Sequence, residues 1–123
     1  MASTVKNTTN ITGQQKAESI AAIASEGKAE NIVILDLREI SNVTDFFVIF
    51  SGTSQVHLRA LGGRIEKGLR ELGIKTGHVD GERGTGWMVF DYGNVIAHAM
   101  MEESRKLFDL ERLWGDAPRI DWE

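Results

Sequence analysis

Residues 85–114, TGWMVFDYGNVIAHAMMEESRKLFDLERLW, constrain the fold of this chain more than any other stretch. Trp87-Met88-Val89-Phe90-Asp91-Tyr92 is apolar on both parities of a strand, Gly93-Asn94 is a hairpin signal, and Val95-Ile96-Ala97-His98-Ala99-Met100 reads as the return strand. From Glu102 to Trp114 the pattern turns helical, with Leu107, Leu110 and Trp114 on one line that Met100 and Glu103 extend backwards. The expectation is a strand, a tight turn, a second strand and one amphipathic helix. Alternation splits the first strand into Trp87, Val89 and Asp91 on one face and Met88, Phe90 and Tyr92 on the other. Two apolar faces require either cover on both sides or an exposed apolar patch, and the sequence fits both. The stretch is rich in the residue types that dominate binding hot spots and poor in catalytic groups. It reads as a docking surface rather than an active site.

The rest of the chain supplies the frame. Residues 1–11 are rich in Ser, Thr and Asn and are expected to form a disordered leader. Thr12 and Gln15 have capping-box spacing ahead of a helix whose stripe is Ala17, Ile20, Ala21 and Ala24, ending near Gly27. Asn31-Ile32-Val33-Ile34-Leu35-Asp36-Leu37 is a buried strand, and after the turn formers of residues 41–45, Phe46-Phe47-Val48-Ile49-Phe50 pairs with it antiparallel. Ser51-Gly52-Thr53-Ser54 opens a second helix with Leu58, Leu61, Ile65, Leu69 and Leu72 on one face and Gly73 at its end. Gly62, Gly63 and Gly68 each weaken that helix by about 1 kcal/mol relative to Ala, which close packing on the sheet would offset. Residues 74–79 form a third strand, and residues 80–84 a polar loop. The order α-β-β-α-β-β-β-α gives a single-domain α/β (α+β) fold, a mixed five-stranded sheet flanked by three main helices. Its ordered body is residues 12–115, followed by an acidic tail, residues 116–123, with Ile120 and Trp122 as anchors.

Composition removes several function classes. The 123 residues contain no Cys, so thiolate catalysis and cysteine metal sites are absent. No apolar run reaches the ~18 residues of a membrane span, and the first residues lack a secretory layout, so a cytoplasmic location is expected and the glycosylation sequons are chance matches. The net charge is −4 and the 14 basic residues are dispersed, which favours a basic protein partner over direct nucleic-acid contact.

Candidate chemistry is sparse. The Ser51-Gly52-Thr53-Ser54 turn stands between strand and helix, where backbone N–H groups can receive phosphate. It lacks a P-loop Lys, and residues 61–67 lack the paired carboxylates a nucleotidyltransferase needs for Mg²⁺, so helix capping is the simpler role. His57, His78 and His98 are far apart with no ligand spacing, and no metal or cofactor is expected. Asp36, Asp45, Asp80 and Asp91 could converge at strand ends, although turn chemistry accounts for Asp45 and Asp91. Glu102-Glu103-Ser104-Arg105-Lys106 reads as a helix start with Glu102–Lys106 and Arg105–Asp109 pairs at i,i+4, beside the apolar Met100, Met101 and Phe108.

Several motifs occur together in one order: Ile34-Leu35-Asp36-Leu37, Thr44-Asp45-Phe46-Phe47-Val48-Ile49, Ser51-Gly52-Thr53-Ser54, Gly81-Glu82, Gly86-Trp87, Asp91-Tyr92-Gly93-Asn94-Val95-Ile96-Ala97-His98, Glu102-Glu103-Ser104-Arg105 and Leu110-Glu111-Arg112-Leu113-Trp114. Over roughly residues 14–115 the chain thereby resembles the ribosomal silencing factor (Iojap-related) family. Asn94 and Ala97 stand where relatives often have Asp and Val. The resemblance implies a non-enzymatic translation factor. Such a factor binds the large ribosomal subunit through large-subunit ribosomal protein fourteen and sterically blocks small-subunit joining. It represses translation when nutrients are scarce, and relatives assist large-subunit assembly. The resemblance also implies a minimal nucleotidyltransferase-like fold without catalytic carboxylates, and a homodimer when free. Carried over residue by residue, the partner-binding set is Trp87, Asp91, Tyr92, His98, Met100, Glu102, Arg105 and Phe108. Trp87→Ala with Arg105→Glu is then expected to abolish subunit binding and spare the fold. The competing readings are a nucleotide-binding or nucleotidyltransferase-like enzyme using Ser51 to Ser54, and a self-associating structural module.

Overall fold

The structure, a computed structural model, describes residues 11–74, 79–80 and 86–122. The first helix, α1 (Gly13–Glu26), starts at the expected capping box: the Thr12 hydroxyl accepts from the Gln15 N–H and the Gln15 side chain from the Thr12 N–H. Its buried stripe is the expected Ala17, Ile20, Ala21 and Ala24, and Gly27 caps its end. Strand β1 (Glu30–Asp36) pairs antiparallel with β2 (Phe46–Gly52), as their short connection requires. Ser54 then caps α2 (Gln55–Glu71), which buries Leu58, Leu61, Ile65 and Leu69, and Gly73 follows it at φ 81°.

After the short β3 (Val79–Asp80) come β4 (Trp87–Asp91) and β5 (Val95–Met101), joined at the expected turn. Gly93 adopts φ 89°, and its N–H donates to Asp91 Oδ1 at 2.8 Å. Lys16 Nζ ties this turn to α1, donating to the Tyr92 carbonyl at 2.9 Å and to Asn94 Oδ1 at 2.8 Å.

The expected five strands form one mixed sheet, and the tail adds β6 (Arg119–Ile120), giving the order β3-β4-β5-β2-β1-β6. Ile120 pairs with Ile34, and Ile120 and Trp122 pack on the main core, so the anchors expected from the sequence hold the tail to the body. Among the described strands only β2 and β5 run parallel. Most of the expected third strand, together with residues 1–10 of the expected leader, His78 and residues 81–84 of the expected polar loop, lies outside the described residues.

One expectation is corrected. The helix read from Glu102 to Trp114 is broken at Asp109, which turns left-handed at φ 44° and separates α3 (Glu102–Phe108) from α4 (Leu110–Leu113). The break shifts the helical phase, so Leu107 leaves the buried line and stands 77% exposed while Leu110 turns inward. Among the described residues the helices therefore number four.

The glycines of α2 divide. A Cβ on Gly62 would stand 2.4 Å from the Phe90 ring, so this glycine permits the helix to lie close on the sheet. Gly68 is packed instead by Ile23 of α1, and Gly63 faces open space with nothing to offset its cost. Among the described residues no helix is long and apolar enough to cross a membrane.

Candidate docking surface

The two faces of the sheet differ in cover. Met88, Phe90 and Tyr92 point into the main core with Phe46, Val48, Phe50, Val95, Ala97 and Ala99, beneath α1 and α2. The other parity of each strand points away from these helices. Register places Trp87 beside Met100, Val89 beside His98 and Asp91 beside Ile96, with Phe47, Ile49 and Ser51 next along β2. On this second face Leu35, Leu37, Ile49 and Met100 are buried beneath Leu110 and Ala117. That cover stops short of β4, so Trp87, Val89, Asp91, Ile96 and Phe47 remain half-exposed. Both sequence-compatible arrangements are thus present: cover on both sides at the β1–β2 end and an open apolar patch at the β4–β5 end.

Aromatic rings run across the open region. Phe108 lies 4.6 Å from Trp87, His98 lies 4.5 Å from Phe47 in an edge arrangement, and Phe47 lies 5.8 Å from Trp114. Trp87 and His98 are joined by a hydrogen bond from the indole Nε1 to His98 Nδ1, 3.1 Å long. Phe108 is 47% exposed, and beside it the α3–α4 junction carries exposed Leu107 and Leu113 with Lys106 and Arg112. Contiguous exposed apolar residues with a charged rim are what a protein-binding surface presents.

The eight residues selected from the sequence separate into three groups. Trp87, His98, Met100 and Phe108 come together on this face with Asp91 at its far end, but Met100 is fully buried and His98 only 6% exposed, so both support the surface from below. Burial pushes His98 down to about 4, keeping its imidazole neutral at physiological pH. Asp91 shares its carboxylate with the turn. Tyr92 is on the opposite face, stacked on Phe90, with its hydroxyl pushed above its usual range by burial and by the Glu66 charge. Glu102 and Arg105 belong to a polar network at the C-terminal ends of β2 and β5.

In that network Arg105 donates from Nη1 to Ser51 Oγ at 2.9 Å and from Nε to Glu111 Oε1 at 2.9 Å. Ser51 Oγ donates to Glu102 Oε1 at 2.6 Å, and this bond is the first cause holding the Glu102 carboxyl below its usual range. Arg105 is 7% exposed, so it does not form the expected surface pair with Asp109. Arg105→Glu would place a carboxylate between Glu102 and Glu111, and the expectation that it spares the fold is corrected.

Residues missed in the sequence are Phe47, Val89, Ile96, Trp114, Leu107 and Leu113. The run Phe46 to Phe50 is apolar on both parities, so no alternation marked Phe47 as facing the open side.

The Ser51 to Ser54 turn is engaged within the chain. Ser51 is fully buried in the network just described, and Ser54 Oγ accepts from the His57 N–H. His57 Nδ1 accepts from the Thr53 N–H at 3.0 Å, leaving Nε2 to donate to the Gly27 carbonyl at 2.9 Å. This is the capping role, with His57 half-buried rather than on the open surface. Asp36 is paired with Arg38 at 2.7 Å, and among the described residues no three His, Asp or Glu side chains cluster as metal ligands would.

Comparison with known proteins completes the picture. The family model for ribosomal silencing factor during starvation matches residues 10–123. The ribosomal silencing factor RsfS of Bacillus subtilis is 37% identical over 109 residues, covering 88% of this chain and 92% of that protein. The mouse protein named mitochondrial assembly of ribosomal large subunit protein 1 is 28% identical over 100 residues, covering 79% of this chain and 44% of its own. A crystal structure of a Chromobacterium violaceum protein superposes with a TM-score of 0.81 at 24% identity, over 85% of this chain and 88% of the other, which bears on the fold.

Proposed function

Because the chain belongs to the ribosomal silencing factor family, we propose that it docks by its open aromatic face on the large ribosomal subunit and sterically blocks small-subunit joining. The contact is large-subunit ribosomal protein fourteen, the outcome is repression of translation under nutrient limitation, and the site of action is the cytoplasm. A role in large-subunit assembly fits the name of the mouse relative. The observation that carries this reading is the unequal cover of the sheet. One face is sealed by α1 and α2, and the other leaves Trp87, Phe47, Ile96 and Val89 half-exposed beside the exposed Phe108.

The charge balance supports the same partner. A chain of net charge −4 is attracted to basic ribosomal proteins, and steering of this kind raises association rates and weakens with salt. Arg105, Met100 and Tyr92 are withdrawn from the contact set by their burial and act as supports. In the free protein the exposed patch is the surface we assign to a homodimer.

The test is co-sedimentation with separated large and small subunits, followed by an in vitro joining assay. The expected result is binding to large subunits alone, a reduced yield of joined ribosomes, and loss of both effects in Trp87→Ala. Binding to neither subunit at any salt concentration would overturn the proposal and leave the self-associating module.

A further inference from the structure

We propose that His98 is a positioning residue: by accepting the Trp87 indole N–H at Nδ1 it fixes that ring on the open face, so that Trp87 meets its partner through carbon alone. The inference rests on the docking reading above and states how one contact of that surface is built.

Register makes the bond geometrically natural. His98 on β5 stands opposite Val89, and Trp87 is two residues along β4 on the same face, a diagonal cross-strand neighbour. Its length, 3.1 Å, is that of a formed hydrogen bond. The bond also fixes the tautomer. An imidazole nitrogen accepts only when it carries no hydrogen, so in neutral His98 the proton is on Nε2. Nε2 is buried and has no hydrogen-bond partner among the described residues. Filling this position for packing alone would favour an apolar side chain, since an unpartnered buried polar atom is costly. The feature that an apolar residue could not supply is the acceptor at Nδ1.

The acceptor is also held still. The Phe47 ring stands edge-on to the imidazole at 4.5 Å and 76°, and the β2 neighbour in register with His98 is the fully buried Ile49. Phe108 packs against the indole with ring centroids 4.6 Å apart. Trp87 is therefore gripped at its nitrogen and flanked along its ring. Burial keeps His98 neutral, and a protonated ring, donating at both nitrogens, would break the bond. Ordering a large side chain before association lowers the entropy lost on binding. With its N–H already spent, Trp87 calls for an apolar pocket or the aliphatic stem of a basic side chain on the partner.

The test uses the full chain and isolated large subunits. His98→Phe keeps an aromatic ring and removes the acceptor, while His98→Asn restores an acceptor near the Nδ1 position without the ring. Trp87→Ala, run in parallel, reports on the docking reading itself. Trp87→Ala and His98→Phe are each expected to weaken binding by at least about tenfold, with His98→Asn within about threefold of the parent. If Trp87→Ala weakens binding and His98→Phe does not, or the two His98 variants weaken it alike, the positioning role is overturned and the docking face stands. If Trp87→Ala binds like the parent, the docking reading falls and this inference falls with it. Long-range nitrogen–proton correlation spectra of the unsubstituted protein decide the tautomer whether or not a variant folds. A ring protonated at Nε2 and bare at Nδ1 from about pH 8 to about pH 5 is expected, and a proton on Nδ1 overturns the proposal.

Discussion

Arg105→Met separates support from contact more sharply than any other single change. The parent side chain is 8% exposed and makes two bonds of 2.9 Å, to Ser51 and to Glu111. Methionine fills much of the volume of the aliphatic stem, so the loss is chiefly electrostatic. Ser51 keeps its own donation to Glu102, and the Glu111 carboxylate, 23% exposed, keeps Arg119 at 3.5 Å. Breaking a fully buried ion pair costs about 3–5 kcal/mol. Partial exposure of Glu111 and the residual Arg119 contact place this case at about 2–3 kcal/mol, a large share of the stability of an ordinary domain. Urea denaturation of both proteins with a shared slope measures the difference. At a temperature where the variant is fully folded, its affinity for large subunits should equal that of the parent. A variant with unchanged stability and lost binding would refute this reasoning and return Arg105 to the contact surface.

Other outcomes follow from the same structure. Gly63→Ala should stabilise by about 1 kcal/mol in urea denaturation, because the helix gains propensity and the new methyl meets nothing. Its neighbour Gly62→Ala should destabilise by about 1–2 kcal/mol, because the methyl is driven into the Phe90 ring; equal shifts of the same sign would sink both assignments. His98 has its folded value lowered from 6.5 to about 4, so between these values the unfolded chain binds the proton more readily. Its contribution is complete above pH 6.5 and is lost as pH falls towards about 4, a total of about 3 kcal/mol that should be missing from the pH–stability profile of His98→Phe. Thr12→Ala should cost about 1 kcal/mol by removing a capping-box bond, with no effect on subunit binding.

The sequence revealed the elements wherever one period was enforced by one buried surface. Ala17, Ile20, Ala21 and Ala24 on α1 and the leucine line of α2 had no alternative placement, and the Gly93 turn fixed the β4–β5 register. Legibility failed where two faces were apolar at once. In residues 46–50 and 87–92 both parities can be buried, so which one faced outward depended on how far α3 and α4 reach across the sheet. That reach depends in turn on the Asp109 break, a backbone event at a residue type that tolerates left-handed conformation and is equally at home near a helix end. The candidate site suffered for the same reason. Trp87 and Phe108 meet on the surface, but Tyr92 and Arg105, chosen by residue type and motif, are turned inward by neighbours distant in sequence.

The central claim is that the uncovered side of the sheet, not its helical side, meets the large subunit. Ile96→Arg puts a cation in the middle of the open patch at a half-exposed position, and Val56→Arg puts the same charge on α2, where Val56 is 68% exposed. Titration of isolated large subunits with the two folded variants compares the faces directly. Binding at least about a hundredfold weaker is expected for Ile96→Arg, by lost apolar contact and charge repulsion, and parental affinity for Val56→Arg. Parental binding by Ile96→Arg, or loss confined to Val56→Arg, would contradict that claim.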